Sequence, residues 1–218
     1  CTACEVQKAI GAEGAVCFDL QAACTGFIFA YNTAQAYIQS NMCRTVLLIG
    51  SERLSRLVDW TDRGTCILFG DGAGAAVLKA AEGRAYLPVS HSDGKKGEAL
   101  TCDRYIHMDG RAVFQFAVTR VPEVIREVLT KNELLMDDVD YFVLHQANRR
   151  IVEAVAKRLR QPIEKFPMNL QEYGNTSSAS IPILLDEMNR SGKLKKGQKL
   201  VVAGFGAGLS WGASIVEW

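Results

Sequence analysis

The chain has 218 residues, of which 48% are hydrophobic, so it can bury a core large enough for one large domain or two small ones. Its 25 basic and 24 acidic residues give a formal net charge of +1, which does not favour binding to nucleic acid or membrane surfaces through overall charge. No apolar run approaches the roughly 20 residues that a membrane-spanning helix needs.

Short β-branched runs alternate with longer helical ones, a pattern typical of an α/β fold with a buried sheet. In chain order, the first half is expected to hold a strand at 15–20, a helix at 25–38 and strands at 45–50 and 74–78. A polar, glycine-bearing stretch from about 81 to 109 is expected to join two halves.

The second half repeats the order of the first. We expect helices at about 112–131, 148–160 and 180–190, and strands at 141–144, 200–203 and 211–216. In each half, small polar residues open a helix, and a strand, a glycine cluster and a further strand follow. This order predicts an internal duplication, with Cys24 and Asn175 at related points of two pseudo-symmetric halves.

The seven cysteines form an odd number in a chain too large to need disulfides, which favours free thiols in a reducing cytoplasm. Cys1 and Cys4 have a C-x-x-C spacing, but no second pair stands at zinc-ligand distance, so small buried thiols are the simpler interpretation.

Cys24 follows a predicted strand and begins a helix, where unpaired N–H groups and the helix dipole favour a thiolate. A buried structural cysteine is the alternative there.

Two further positions combine polar side chains with the ends of predicted elements. His145 ends an apolar strand, where α/β sheets place their ligands, although a capping histidine would look the same. Asn175 lies in the small polar run YGNTSSAS at 173–180, which a helix N-cap explains in part. So many small residues together also indicate backbone packed around a narrow tunnel.

The glycine clusters at 70–75 and 204–208 could be mistaken for dinucleotide-binding loops. Each is followed by a strand pattern and not by the helix that would hold a pyrophosphate, so tight turns with amides facing a site are the better interpretation.

Six ordered motifs together resemble the β-ketoacyl-[acyl-carrier-protein] synthase III family of the thiolase superfamily. They are AACTGF at 22–27, TDRGT at 61–65, FGDGAGAA at 69–76, HQAN at 145–148, YGNTSSASIP at 173–182 and GFGAGLSWG at 204–212. The resemblance implies a thiolase-like layered αβαβα fold of two pseudo-symmetric halves. It divides the chain into 1–84, the end of an incomplete N-terminal half with the nucleophile, and 85–218, the C-terminal half with the histidine and asparagine.

The resemblance also assigns roles to residues. It implies a catalytic triad of Cys24, His145 and Asn175, where related elongating enzymes carry a second histidine in place of the asparagine. An oxyanion hole would use the amides of Cys24 and of Gly206 or Ala207. The coenzyme A and pantetheine tunnel would be lined by Arg63, Gly64, Met108, Gly110, Phe114, Ala147, Asn148 and Phe205. Arg150, Lys157 and Arg158 would bind the carrier protein, and Arg150 and Lys157 share a helix face. The alternative is that these residues are ordinary solvated charges.

The implied function is an acyltransferase that initiates type II fatty-acid synthesis. It would condense an acyl-CoA primer with malonyl-acyl-carrier-protein, with loss of carbon dioxide, to give a 3-oxoacyl-acyl-carrier-protein. The expected enzyme is a cytoplasmic homodimer that needs no metal or other cofactor and binds neither nucleic acid nor membrane. The alternatives are a related condensing enzyme of specialised metabolism and a cysteine hydrolase, which can also use Cys, His and Asn.

Two departures from the family pattern are visible. Family members have a substantial stretch before the position of Cys1, which includes the first strands, and a longer loop where this chain has 102–106. The sequence is therefore interpreted as lacking the family's N-terminal stretch.

Overall fold

The computed structural model describes all 218 residues. The helices are Thr2–Ile10 (α1), Gly26–Gln39 (α2), Gly110–Lys131 (α3), Arg149–Leu159 (α4), Leu170–Tyr173 (α5) and Ser180–Arg190 (α6). The strands are Thr45–Arg53 (β1), Asp71–Lys79 (β2), Val89–Ser92 (β3), Leu100–Cys102 (β4), Ile106–Met108 (β5), Tyr141–Leu144 (β6), Lys199–Gly206 (β7) and Ser210–Glu217 (β8). None of the helices combines the length and the apolar composition that crossing a bilayer requires.

The largest sheet has four strands in the order β3-β8-β7-β6. Strands β6 and β7 are parallel, with Leu144 opposite Ala203, whereas β8 is antiparallel to both of its neighbours. Because parallel strands end at the same edge of a sheet, the residues after Leu144 and Ala203 emerge side by side. This edge holds His145 and the glycine cluster that begins at Gly204.

Helices cover both faces of this sheet. Along β7, Val201 and Ala203 contribute to a core with α3 and α4, whereas Leu200 and Val202 contribute to a second core with α2 and α6. The alternation follows from the two-residue period of a strand, and burial on both faces explains why β7 is apolar without interruption. The sheet edge is therefore held rigidly from both sides.

Most of the predicted elements are confirmed within a few residues, and the exception is the strand expected at 15–20. That segment is extended, irregular and mostly exposed, because no other strand lies beside it to supply hydrogen bonds. Helix α1 was not predicted. The supposed join at 81–109 also contains three short strands, β3, β4 and β5.

The two halves repeat one local structure. Short 3₁₀ turns at Ala23–Thr25 and Ser177–Ala179 lead into α2 and α6, and the strands β1 and β7 follow with the same spacing. The first residue of each turn has a positive φ, 46° at Ala23 and 49° at Ser177. This match makes Ser178 the counterpart of Cys24, so the expectation that Asn175 occupies the related position is wrong by three residues. Strands β1 and β2 form a separate two-stranded sheet, which lies before the expected boundary at 84/85. The division into 1–84 and 85–218 stays a prediction.

Candidate active site

Cys24 sits in the middle of the first 3₁₀ turn, directly before helix α2. The turn is fixed by the Thr25 hydroxyl, which donates to the Ala22 carbonyl at 2.6 Å and lies 2.7 Å from the Ser210 hydroxyl. Gly206 faces this turn so closely that an added Cβ would stand 2.9 Å from the Cys24 nitrogen. Only glycine therefore lets the end of β7 approach the Cys24 amide.

The environment of the Cys24 thiol differs from the sequence expectation of a stabilised thiolate. The pKa of the thiol is raised to about 11, mainly by burial; a hydrogen bond from the Ser177 side chain lowers it, and the nearby Glu52 carboxylate raises it. The residue keeps partial exposure to the cavity, but the protein atoms packed around the sulfur disfavour its charged form. At neutral pH the resting group is a thiol, so the helix start alone does not produce a thiolate.

His145 follows β6 at the sheet edge and is 3% exposed. Its backbone N–H donates to the Ala203 carbonyl at 2.8 Å, which continues the parallel ladder by one residue. Its Nδ1 lies 2.7 Å from the Ser180 hydroxyl, and its ring meets that of Phe205 edge-on, with centroids 5.6 Å apart. Burial lowers the pKa of the imidazole to about 4, so the ring is neutral at physiological pH.

Asn175 is anchored through its backbone and through one end of its side chain. Its N–H donates to the Leu68 carbonyl at 2.8 Å, and its own carbonyl accepts from Gly70 at 3.0 Å. Its Oδ1 accepts the Ser177 N–H at 2.9 Å. The amide oxygen is thus occupied, which leaves the Nδ2 donors of Asn175 for the cavity.

The glycine cluster at 70–75 serves packing, not a tight turn. An added Cβ on Gly70 would stand 2.0 Å from the Tyr173 carbonyl oxygen, and one on Gly74 would stand 2.8 Å from the Ile183 nitrogen. Gly72 and Gly74 lie within β2, so the expectation of turns with amides facing a site is wrong for this cluster. The glycines let β2 lie directly against α6 and the Asn175 loop.

One cavity of about 200 Å³ brings the three expected catalytic residues together. Its lining consists of Cys24, Gly64, Leu68, Phe69, Leu100, Met108, Gly110, Val113, Phe114, His145, Ala147, Asn148, Ile151, Asn175, Phe205 and Gly206. All of the expected tunnel residues except Arg63 are among them; Arg63 is exposed beside Gly64. Ala207 follows Gly206 without lining the cavity.

The expected docking residues lie on helix α4 and are exposed. The Arg150 guanidinium lies 5.3 Å from the centroid of the Phe114 ring, at the mouth of the cavity. Lys157 and Arg158 are in the last turn of the same helix, about 10 Å farther along its axis.

Sequence reasoning missed three residues that hold the site together: Glu52, Ser177 and Ser180. Glu52 accepts hydrogen bonds from the Ser178 N–H at 3.2 Å and from its hydroxyl at 2.5 Å. The two serines belong to the small polar run at 173–180, so the sequence already shows them close to Asn175. Their partners, Cys24 and His145, are far away in the chain and could not be inferred from the run itself.

Comparisons with known proteins identify the family of the chain. Residues 18–94 match the family described as 3-oxoacyl-[acyl-carrier-protein (ACP)] synthase III, and residues 129–218 match its C-terminal family. The β-ketoacyl-[acyl-carrier-protein] synthase III of Acaryochloris marina is 49% identical over 100% of this chain and 71% of its own length. The chain belongs to the β-ketoacyl-[acyl-carrier-protein] synthase III family.

Solved structures extend the comparison to the fold. The crystal structure of 3-oxoacyl-[acyl-carrier-protein] synthase III from Aquifex aeolicus has a TM-score of 0.97 and 45% identity, over 100% of this chain and 72% of that one. The corresponding enzyme of Clostridium novyi is 47% identical over 100% of this chain and 72% of its length. The thiolase-like fold and the condensing-enzyme function that the motifs predicted are therefore confirmed, in a chain about 72% as long as these relatives.

Proposed function

We propose that this cavity carries out both half-reactions of the family's initiating condensation, with Cys24, His145 and Asn175 as the catalytic residues. One observation carries the proposal. The thiol, the neutral imidazole and the free amide donors of these three residues all open onto the same cavity, although they come from distant parts of the chain.

In the first half-reaction, the Cys24 sulfur attacks the thioester carbonyl of an acyl-CoA. A carbon–sulfur bond forms, and coenzyme A leaves with the proton that the thiol gives up. The negative charge on the carbonyl oxygen would be held by the Cys24 amide and by an amide of Gly206 or Ala207. The close contact of Gly206 with the Cys24 amide supports this role, because an added Cβ on Gly206 would stand only 2.9 Å from the Cys24 nitrogen.

In the second half-reaction, malonyl-acyl-carrier-protein occupies the same tunnel and loses carbon dioxide. The enolate that forms carries its charge on the thioester oxygen, where His145 and Asn175 donate hydrogen bonds. Its carbon then attacks the acyl group on Cys24, and the Cys24 thiolate leaves as the 3-oxoacyl-acyl-carrier-protein forms and takes up a proton from solvent. A neutral imidazole suits this step, since a charged one would be costly in so buried a position.

The rest of the cavity lining fits the substrates proposed. Apolar side chains such as Met108, Phe114 and Phe205 line it, as expected for a tunnel that takes a pantetheine arm. Arg150 at its mouth, with Lys157 and Arg158 beyond, offers positive charge to an acidic carrier protein. The substrates, a solvent proton and the protein's own donors account for every bond change, so no metal or redox cofactor is needed. Treatment with a chelator should leave the rate unchanged.

We also propose that the protein is cytoplasmic and forms a homodimer. Seven free cysteines suit a reducing compartment. The extended segment at 15–20 exposes Val16, Phe18 and Leu20 by 87%, 49% and 39%, an apolar surface that a second copy could cover. Sedimentation analysis of the wild type and of Val16→Asp tests this: the dimer should weaken in the variant, and a monomeric wild type would contradict the assembly.

The decisive experiment for the catalytic roles measures two rates on each variant, acetyl loading of Cys24 and carbon dioxide release from malonyl-acyl-carrier-protein. Asn175→Ala should lower carbon dioxide release by about 100-fold, the typical loss for one oxyanion donor, and leave loading largely intact. Cys24→Ala should abolish loading. If Asn175→Ala abolished loading while carbon dioxide release continued, a hydrolase-like relay would be the better description.

A further inference from the structure

The hydrogen bonds of Ser180 bear on which of the two ring nitrogens of neutral His145 carries the proton. A neutral imidazole has one donor nitrogen and one acceptor nitrogen, and the partner of one nitrogen decides the state of the other. His145 Nδ1 lies 2.7 Å from Ser180 Oγ, and both residues are at least 97% buried. Either atom of this pair could be the donor on distance alone.

A second contact of Ser180 removes the ambiguity. The backbone N–H of Gln146 donates to Ser180 Oγ at 3.3 Å. A serine hydroxyl has one proton and two lone pairs, and His145 and Gln146 are its only two partners. If Nδ1 carried the proton, two N–H groups would point at Oγ and the buried hydroxyl proton would have no acceptor.

We propose that Ser180 is a positioning residue that donates its hydroxyl proton to His145 Nδ1 and so holds the ring with its own proton on Nε2. Ser180 does not touch the substrate; it acts through His145. The inference rests on the proposed function, in which His145 must donate a hydrogen bond to the enolate oxygen. In this tautomer the Nε2–H is the donor that the ring directs away from Ser180.

In the other half of the repeat, the same turn and helix start form without a hydroxyl at this point. The position equivalent to Ser180, at the start of α2, is Gly26. Helix α2 begins there without any side-chain cap, and no histidine stands beside it to be oriented. The N-cap of α6 is Ala179, one residue earlier, and the hydrogen bonds of the Ser180 hydroxyl are with His145 and the Gln146 backbone N–H.

This arrangement has a chemical consequence for Cys24. An Nε2 that already carries a proton cannot take one from a thiol. His145 therefore serves the decarboxylation as a donor and does not act as the base for acyl loading. A cysteine hydrolase requires the opposite, a histidine nitrogen that accepts the thiol proton.

Nitrogen NMR of the histidine-labelled full chain tests the tautomer directly. The chain has three histidines, and His91→Gln and His107→Gln variants identify the His145 signals by elimination. We expect a non-protonated resonance for Nδ1 and a protonated one for Nε2 at pH 7. A protonated Nδ1 would overturn the proposal, even if His145 proved essential for decarboxylation.

Kinetics of Ser180 variants provide the second readout. Ser180→Ala should lower carbon dioxide release from malonyl-acyl-carrier-protein by about 10- to 100-fold, less than or equal to the loss of a whole donor, with acetyl loading of Cys24 unchanged. Ser180→Thr keeps the hydroxyl and should recover most of the rate. The matched control is Ser214→Ala, which removes a buried serine that bonds Asn32 instead of His145.

The outcomes separate the two proposals. Equal loss of both rates in Ser180→Ala, or no recovery in Ser180→Thr, would reject the positioning role and leave the catalytic triad standing. If His145→Ala released carbon dioxide at the wild-type rate, the proposed function itself would fail, whatever the tautomer.

Discussion

Burial and two polar neighbours act together on the Cys24 thiol. Burial is the largest effect and raises the pKa to about 11, the Ser177 side chain lowers it, and the Glu52 carboxylate raises it. Ser177 itself adopts a positive φ of 49°, which a non-glycine residue rarely does. The pKa of the Cys24 thiol is therefore controlled in part by residues from two other parts of the chain.

Alkylation of Cys24 by iodoacetamide should report this control. Because only the thiolate reacts, the rate should rise about tenfold per pH unit between pH 7 and 9. Ser177→Ala should slow the reaction about 10- to 100-fold at fixed pH, since hydrogen bonds to charged groups contribute about 1.5–3 kcal/mol. Glu52→Gln should accelerate it by removing a negative charge. Peptide mass mapping distinguishes Cys24 from the other six cysteines.

Ser191→Ala serves as the control for this series, because its hydroxyl bonds the Met188 carbonyl away from the site. A rate that was already constant from pH 7 to 9 would contradict the raised pKa. It would then support the stabilised thiolate that the helix start led us to expect.

At the scale of elements, the site depends on how closely β1 approaches the turn that precedes α6. An added Cβ on Gly50 would stand 2.7 Å from the Ser178 carbonyl oxygen and 2.9 Å from its carbonyl carbon. These are backbone atoms, so relief of the contact would have to move the strand or the turn. That turn carries Ser177, the hydrogen-bond partner of both Asn175 and Cys24.

Gly50→Ala should lower the free energy of unfolding by about 1–3 kcal/mol, the range typical of overpacking. Urea unfolding of the variant and the wild type measures the difference. Gly94→Ala is the matched control, because an added Cβ there has no atom within 4 Å. Equal effects of the two substitutions would show that the contact is not tight.

Helix α4 presents the basic residues proposed to meet the carrier protein. Lys157→Glu should lower kcat/KM for malonyl-acyl-carrier-protein, most strongly at low salt, because exposed charges mainly steer encounter. Loading from a small acyl-CoA should change little. Lys196→Glu is the control: Lys196 is also exposed but precedes β7, at the end of the sheet opposite the site. A similar loss in the control, or in both half-reactions, would reject docking on α4.

At the scale of the whole molecule, the buried neutral His145 links folding to pH. The folded pKa of about 4 lies below the ordinary value of 6.5, so the unfolded chain binds a proton that the folded chain excludes. The contribution of neutral His145 to the free energy of unfolding is fully present above pH 6.5 and is lost as the pH falls toward 4.

The free energy of unfolding should therefore fall by about 2 kcal/mol more in the wild type than in His145→Gln between pH 7 and pH 5. This interval lies above the ordinary pKa values of the carboxylates, and His91 and His107 are present in both proteins. Urea titrations at the two pH values give the difference. Identical pH dependence in the two proteins would show that His145 is not held neutral by burial.

The sequence by itself identified the family through its six ordered motifs, and it predicted most of the elements and most of the residues that line the cavity. Apolar periodicity reports which faces are buried, and motifs such as AACTGF and HQAN mark the ends of elements where side chains emerge. Patterns of this kind involve residues that are neighbours in the chain, so they can be recognised without knowing the tertiary structure. The segment at 15–20 shows the limit, because its composition suits a strand but a strand needs a partner.

Tertiary structure decided what each site residue can do. The pKa of Cys24, the tautomer of His145 and the orientation of the Asn175 amide depend on Ser177, Ser180 and the packing around them. Desolvation and hydrogen bonding act over a few ångströms in space, between residues that the sequence separates by tens to more than a hundred positions. The sequence could name the groups proposed to be catalytic, but only the folded arrangement fixes which of their atoms carry protons and where those atoms point.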